Sequence, residues 1–340
     1  MFEGPPFLIT KPIDTAPATT TTEFTMASND DIRLARAHLS RVAEVDRDAL
    51  TTLVTELGPV EASNRVRSGD PGFSGENTVS ARDAEDRAHR DLEQITSCQG
   101  RLVIPEDPDW PQGELAALSQ PKDGLRNLGE PLALWVRGPH NLSDVLGQAI
   151  AMVGSRAATG YGEHVASEFA HVLGEQGSTI VSGGGYGIDG AAHRGALGAG
   201  AITVAVLACG PELAYPLGHG GLLRRIAREG MIVSEYPPGV APARHRFLAR
   251  NRIIAALGAG TVVVEAGRRS GAKYTAETAA RLGRVVMAVP GPITSAGSVG
   301  CHEMMRTGLA IPVGSTAEVI DSLRGCAVSQ VADRTTPGIE

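Results

Sequence analysis

The sequence predicts an α/β protein built on an open, doubly wound, mostly parallel sheet, with a small helical domain ahead of it. Three observations predict it. Six short apolar runs, at 149–154, 178–183, 201–208, 231–235, 261–266 and 284–290, show little polar alternation, the pattern of strands buried on both faces. Helical stretches fall between them at about 160–176, 187–198, 218–229, 247–258 and 272–282, which implies right-handed parallel crossovers. Glycine-rich segments follow the strand ends, where ligands bind in such sheets. A closed barrel would need eight repeats, and the chain shows six.

The remaining segments follow in order. Residues 1–30 are rich in Thr, Pro and Ala and read as a flexible tail. Within 31–98, Ile32, Leu34, Ala35, Leu39 and Val42, then Leu50, Leu53, Val54 and Leu57, recur at helical spacing, with a turn at Gly58–Pro59. This predicts a small helical domain, either a packing or partner-binding module or a contact for DNA backbone. Residues 69–90 are polar and mixed in charge, as in a linker or an exposed helix. Between 100 and 140, Pro105, Pro108, Pro111 and Pro131 interrupt short apolar runs, which predicts extended chain with turns packed on the edge of the next domain. The core is expected over 99–316 and a carboxyl-terminal tail over 317–340.

Composition excludes several classes. With 42% hydrophobic residues in 340, a full core is affordable and global disorder is not expected. Aromatics are scarce at 4%, which weakens the case for a grip made mainly by base stacking. The net charge of −7 argues against a basic coat protein but says little about local charge. Cys98, Cys209, Cys301 and Cys326 form no CxxC pair, so no zinc or other metal site is expected. Such cysteine usage fits a reducing cytoplasm. The amino terminus does not read as a secretory signal, and no apolar stretch is long enough for a membrane span.

The strand ends carry the chemistry. Gly154, Ser155 and Arg156 follow the first strand, Gly183, Gly184, Gly185, Tyr186 and Gly187 the second, and Ser270 and Gly271 come just after the fifth. Glycine lets backbone N–H groups approach an anion, and a helix starting there adds a favourable dipole. Together these read as a phosphate-binding rim; taken singly, each is also a tight strand–helix turn. GYGIDG satisfies G-x-G-x-x-G on paper, but it follows the second strand, and no P-loop is present. No cofactor is therefore expected.

Charge is uneven. Residues 149–316 hold 15 Arg or Lys against 10 Asp or Glu, whereas the whole chain holds 31 against 38. Arg244, Arg246, Arg250 and Arg252 cluster in RHRFLARNR, followed by Arg268, Arg269 and Lys273. Arg246 and Arg250 share a helix face. One of these arginines is expected to line the cleft while another pairs with a carboxylate such as Glu265. The cluster reads as a groove for a phosphate chain or as a solvated helix face with local salt bridges, and Phe247 within it as a base contact or as core. Asp189, His193 and Glu265 are candidates for catalysis, but Asp189 is expected to cap its own turn, with His193 hydrogen-bonded nearby. No catalytic residue is assigned.

The segments MVGSRAATGYG (152–162), VSGGGYGIDGAAHRGAL (181–197), MIVSEYPPG (231–239), HRFLARNRIIAAL (245–257) and VVVEAGRRSGAKYTAETAARLGRVVMAVPGPI (262–293) resemble, in order, the DNA-processing protein A (DprA/Smf) family. The resemblance implies an extended Rossmann-like fold that binds single-stranded DNA, forms a homodimer and loads RecA recombinase, as in natural transformation, without catalysis. It places DNA contacts on Gly154, Ser155, Arg156, the Gly183–Gly187 loop, Arg250, Asn251, Arg252, Ser270, Gly271 and Lys273. Ala272, Lys273 and Tyr274 depart from the family's usual small and apolar residues, and Gly300-Cys301-His302 stands where it usually has glycine–x–asparagine. Residues 317–340 are too few for the winged-helix domain of many members. A nucleotide phosphoribohydrolase-like enzyme using Glu265, Asp189 and Arg156, and a nucleotide-sensing module, are the alternatives.

Overall fold

The structure is a computed structural model that describes Met1 and residues 28–43, 47–69, 81–119 and 128–335, with the side chains of 81–84 and 326–335 excepted. Most of the expected amino-terminal tail lies outside the described residues. In chain order the elements are α1 (Asn29–Val42), α2 (Arg47–Leu57), α3 (Pro59–Arg67), α4 (Ala81–Ser97), β1 (Gly100–Val103), α5 (Gln112–Leu115), β2 (Leu134–Arg137), α6 (Leu142–Val145), β3 (Ala149–Val153) and α7 (Gly160–Glu175). There follow β4 (Thr179–Gly183), α8 (Ile188–Gly198), β5 (Thr203–Leu207), α9 (Gly220–Glu229), β6 (Met231–Ser234), α10 (Arg244–Leu257), β7 (Gly260–Val263) and α11 (Gly271–Arg281). The chain continues through β8 (Val285–Ala288), α12 (Val299–Arg306), β9 (Ile311–Pro312) and α13 (Thr316–Thr335).

The nine strands among the described residues form one sheet in the order β1-β2-β6-β5-β4-β3-β7-β8-β9. Strands β3 to β9 run parallel. The expected α/β fold is therefore the observed one, and the six predicted strands are β3 to β8. Each is apolar along nearly its whole length because helices cover both faces. Ile150 and Met152 of β3 meet Ala166, Phe169 and Leu173 of α7, while Ala149, Ala151 and Val153 face Ile253 and Ala256 of α10 on the other side. The chain winds outward from β3 to β6, then returns to place β7 on the far side of β3. That reversal opens a crevice at the carboxyl ends of the strands.

The segment expected to be extended chain supplies two further strands. β1 and β2 pair antiparallel, and β2 joins β6 from Trp135↔Ser234 to Arg137↔Ile232. The helical layer packs there: Ala37, Ala88 and Ile95 bury against Leu102, Ile104 and Trp135. Ser28 caps α1 reciprocally with Asp31, satisfying first-turn N–H groups. Arginines then tie the helices down: Arg36 to Glu106 at 2.6 Å, Arg41 to Asp91 at 2.6 Å and Arg47 to Glu235 at 3.0 Å.

Candidate nucleic-acid interface

The strand-end loops lock to one another through the backbone. The Ser155 N–H donates to the Glu265 carbonyl at 2.8 Å, and the Ile188 N–H donates to the Ser155 carbonyl at 3.2 Å. Gly187 makes this junction possible. Its φ is 68°, a left-handed value that strains other residues, and a Cβ there would overlap the Ser155 carbonyl oxygen. A Cβ on Gly183 would sit 2.8 Å from the Arg250 guanidinium. The glycines thus bring the loops after β3 and β4 against α10.

One pocket gathers the result. Arg156, Gly184, Gly185 and Arg250 line it together with Tyr186, Tyr215 and Phe247. Arg156 is exposed, with its Cζ 4.6 Å over the Phe247 ring, within range of a cation–π contact. Tyr215 lies 5.5 Å from Phe247, centroid to centroid. Tyr186, nearly half exposed, stands edge-on to His219 and accepts the Gly218 N–H. Arg250 is buried beneath them, donating to the Val206 carbonyl. Burial lowers its pKa, while the nearby Asp189 carboxylate opposes that shift.

Scarce aromatics therefore converge on one spot, which the overall composition concealed. Tyr215 was not among the sequence candidates, and Tyr186 entered only as a member of the Gly183–Gly187 loop. The available signal was their position, each in a strand-end loop beside glycine or proline.

The other candidates sit elsewhere. Arg252 does not reach the rim: it is 3% exposed, and its guanidinium binds both Glu235 oxygens, at 2.6 and 3.0 Å, and the carbonyls of Leu128 and Gly129. The carboxylate partner is thus Glu235, not the expected Glu265. Burial pushes the Glu235 pKa up, but Arg252 and Arg47 outweigh it and hold the group below the usual carboxylate range. Lys273 pairs with Glu303 at 3.1 Å. Arg246 donates to the Ala241 carbonyl and lies 5.4 Å from the Tyr236 ring. The Asn251 amide reaches the Gly271 carbonyl at 3.4 Å, and Ser270 caps α11 through the Ala272 N–H. Gly154 sits between Ile188 and the Glu265 carbonyl.

The catalytic candidates are occupied by structural bonds. Glu265 accepts the Thr159 hydroxyl at 2.6 Å and the Thr159 N–H at 2.9 Å. Asp189 accepts the Gly185 N–H at 3.2 Å, as a cap of its own turn; burial raises its pKa against the pull of Arg250. His193 bonds to Thr203 Oγ1 at 2.7 Å and to the Gly183 carbonyl at 2.8 Å. Burial lowers its pKa to about 4 and raises that of Cys209, in the pocket wall, to about 11. At the late departure from the family pattern, His302 Nε2 contacts the Gly291 carbonyl at 3.0 Å, tying α12 to the loop after β8. Among the described residues no helix is long and apolar enough to cross a membrane, and no group of three His, Cys, Asp or Glu is placed to hold a metal.

Fold and site together define an open α/β protein with an arginine- and aromatic-lined pocket at the carboxyl edge of its sheet. The family model of DNA recombination-mediator protein A matches residues 101–324, and the chain belongs to that family. A Mycobacterium tuberculosis protein provisionally named DNA processing protein DprA is 53% identical over 280 residues, 82% of this chain and 72% of that one. Escherichia coli protein Smf is 40% identical over 223 residues, 65% of this chain and 56% of that one. Among solved structures, DNA processing protein A of Streptococcus pneumoniae superposes with a TM-score of 0.67 at 27% identity, covering 87% of this chain and 98% of that one. The Helicobacter pylori protein, described for its single-stranded DNA binding mode, gives 0.56 at 26% identity over 67% of this chain and 96% of that one.

Proposed function

We propose that this chain binds single-stranded DNA along the carboxyl edge of its sheet, protects it as a cytoplasmic homodimer, and loads RecA recombinase onto it, as in natural transformation. The observation that carries the reading is the exposed Arg156 guanidinium over Phe247, with Tyr186 and Tyr215 alongside. A guanidinium neutralises phosphate, and aromatic faces stack on bases of any sequence. The pocket encloses only about 80 Å³, against the roughly 300–1,000 Å³ of sites that engulf a small molecule. That favours a chain laid across the rim over an enclosed nucleotide. The Helicobacter pylori relative supports the choice of single-stranded DNA; the homodimer and RecA rest on the DprA/Smf resemblance.

In this reading Arg156, Phe247 and the Gly183–Gly187 loop contact the strand, with Gly154, Ser155, Ser270 and Gly271 shaping the rim. Arg250, Asn251 and Arg252 act from beneath, holding α10 in place. Titrating labelled oligo-dT across a salt series tests it. Affinity should fall with a log–log slope of about −0.7 per phosphate neutralised and vary little with sequence. Absent or salt-independent binding would overturn the reading.

A further inference from the structure

The geometry points to a second phosphate-binding station between α9 and the antiparallel β1–β2 pair, which grips the backbone of the DNA strand held at the carboxyl edge. The inference rests on the DNA-binding reading above. The open pocket here, of about 380 Å³, is lined by Cys98, Arg137, Arg224, Arg225 and Arg228 and shares no lining residue with the pocket around Arg156.

Its charge is poorly compensated. Arg137 donates to the carbonyls of Cys98 at 2.9 Å and Pro211 at 3.2 Å, neither of which cancels its charge. Arg224 is exposed, and its side chain makes no hydrogen bond or ion pair with the described residues. Arg225 pairs with Glu229 at 2.8 Å, and Arg228 reaches the same carboxylate at 3.4 Å. Among the described residues, Glu229 thus serves two of the four arginines and leaves Arg137 and Arg224 without a carboxylate, in a chain whose net charge is −7. The core does not require the Arg224 and Arg228 side chains, because α9 packs through Leu223 and Ile226.

The chemistry selects phosphate in a strand. Arg224 and Arg228 stand one turn apart, roughly 6 Å along the helix, on the order of the step between consecutive phosphates. Planar guanidinium groups take phosphate oxygens in pairs. No aromatic side chain lines the pocket, so it offers charge without a stacking surface, a grip that carries no base information.

The test compares the full chain with its Arg224→Gln/Arg228→Gln variant, both checked for an unchanged melting temperature. Oligo-dT of increasing length is titrated at several salt concentrations. Short oligonucleotides that span only the first pocket should bind both proteins alike. Longer ones should bind the variant roughly tenfold more weakly, with the salt slope smaller by about 1.4 for two lost phosphate contacts. Alkylation of half-exposed Cys98, followed by peptide mass, gives a second readout: long oligo-dT should shield it in the wild type and not in the variant. Equal affinities at every length, or shielding by inorganic pyrophosphate with none by oligo-dT, would overturn the station, the latter by marking a small-anion pocket. Failure of the wild type to bind any oligonucleotide would overturn the parent reading instead, and this one with it.

Discussion

Two helices carry most of the clustered arginine in the core, and they use it in opposite ways. α10 has the denser cluster, yet Arg250 and Arg252 are 6% and 3% exposed and bind carbonyls and Glu235. α9 has Arg224, Arg225 and Arg228 on its exposed face, with Glu229 their only carboxylate among the described residues. A cationic run in a sequence therefore does not distinguish a ligand surface from an internal strut. What decides is where the counter-charges lie, and the fold sets that.

Glu235 gives the largest way to break this comparison. Glu235→Ala leaves Arg47 and Arg252 buried without their carboxylate, so urea denaturation should show a loss of about 3–5 kcal/mol. Glu229→Ala on exposed α9 should barely move the midpoint. Equal effects at the two sites would remove the distinction between strut and surface.

Acid probes the interior next. His38 and His193 have pKa values lowered from 6.5 to about 4, chiefly by burial, with Arg67 adding to the shift at His38. The folded state keeps them neutral, whereas the unfolded chain takes up protons below pH 6.5. Their contribution is complete above 6.5 and is lost as pH falls toward 4, by about 2 kcal/mol per histidine at pH 5. Stability measured from pH 7 to 5 should fall; a flat profile would contradict the burial of these rings.

Gly187→Ala should cost about 1–3 kcal/mol, through a strained φ and overlap with the Ser155 carbonyl, and should weaken oligonucleotide binding as the rim shifts. Wild-type stability and binding would show that the junction yields. Phe247→Ala is the smallest change. Loss of stacking should weaken oligo-dT binding by about 1–2 kcal/mol with the salt slope unchanged, because no cation is removed.

Much of the fold was legible in the sequence because strands β3 to β8 are buried on both faces and so read as unbroken apolar runs. β1 and β2 were not legible: each is four residues long, among prolines and beside a helical layer whose contacts are distant in sequence. At the site, Gly183–Gly187 and Arg156 announced themselves by following strands. Arg252 misled because the fold brings its partner Glu235 to it together with a second arginine, Arg47, which lies 188 positions from Glu235. Tyr215, and the aromatic role of Tyr186, were hidden by a composition poor in aromatics, since an average over the chain does not register local convergence.

In the proposed function, the rim around Arg156 holds single-stranded DNA by charge over an aromatic floor. The most direct measurement is oligo-dT binding by the wild type and Arg156→Ala across a salt series, with thermal melts in parallel. We expect the variant to melt as the wild type does, bind more weakly, and show a salt slope smaller by about 0.7. Equal affinity and equal slope would take Arg156 out of the interface and contradict the account.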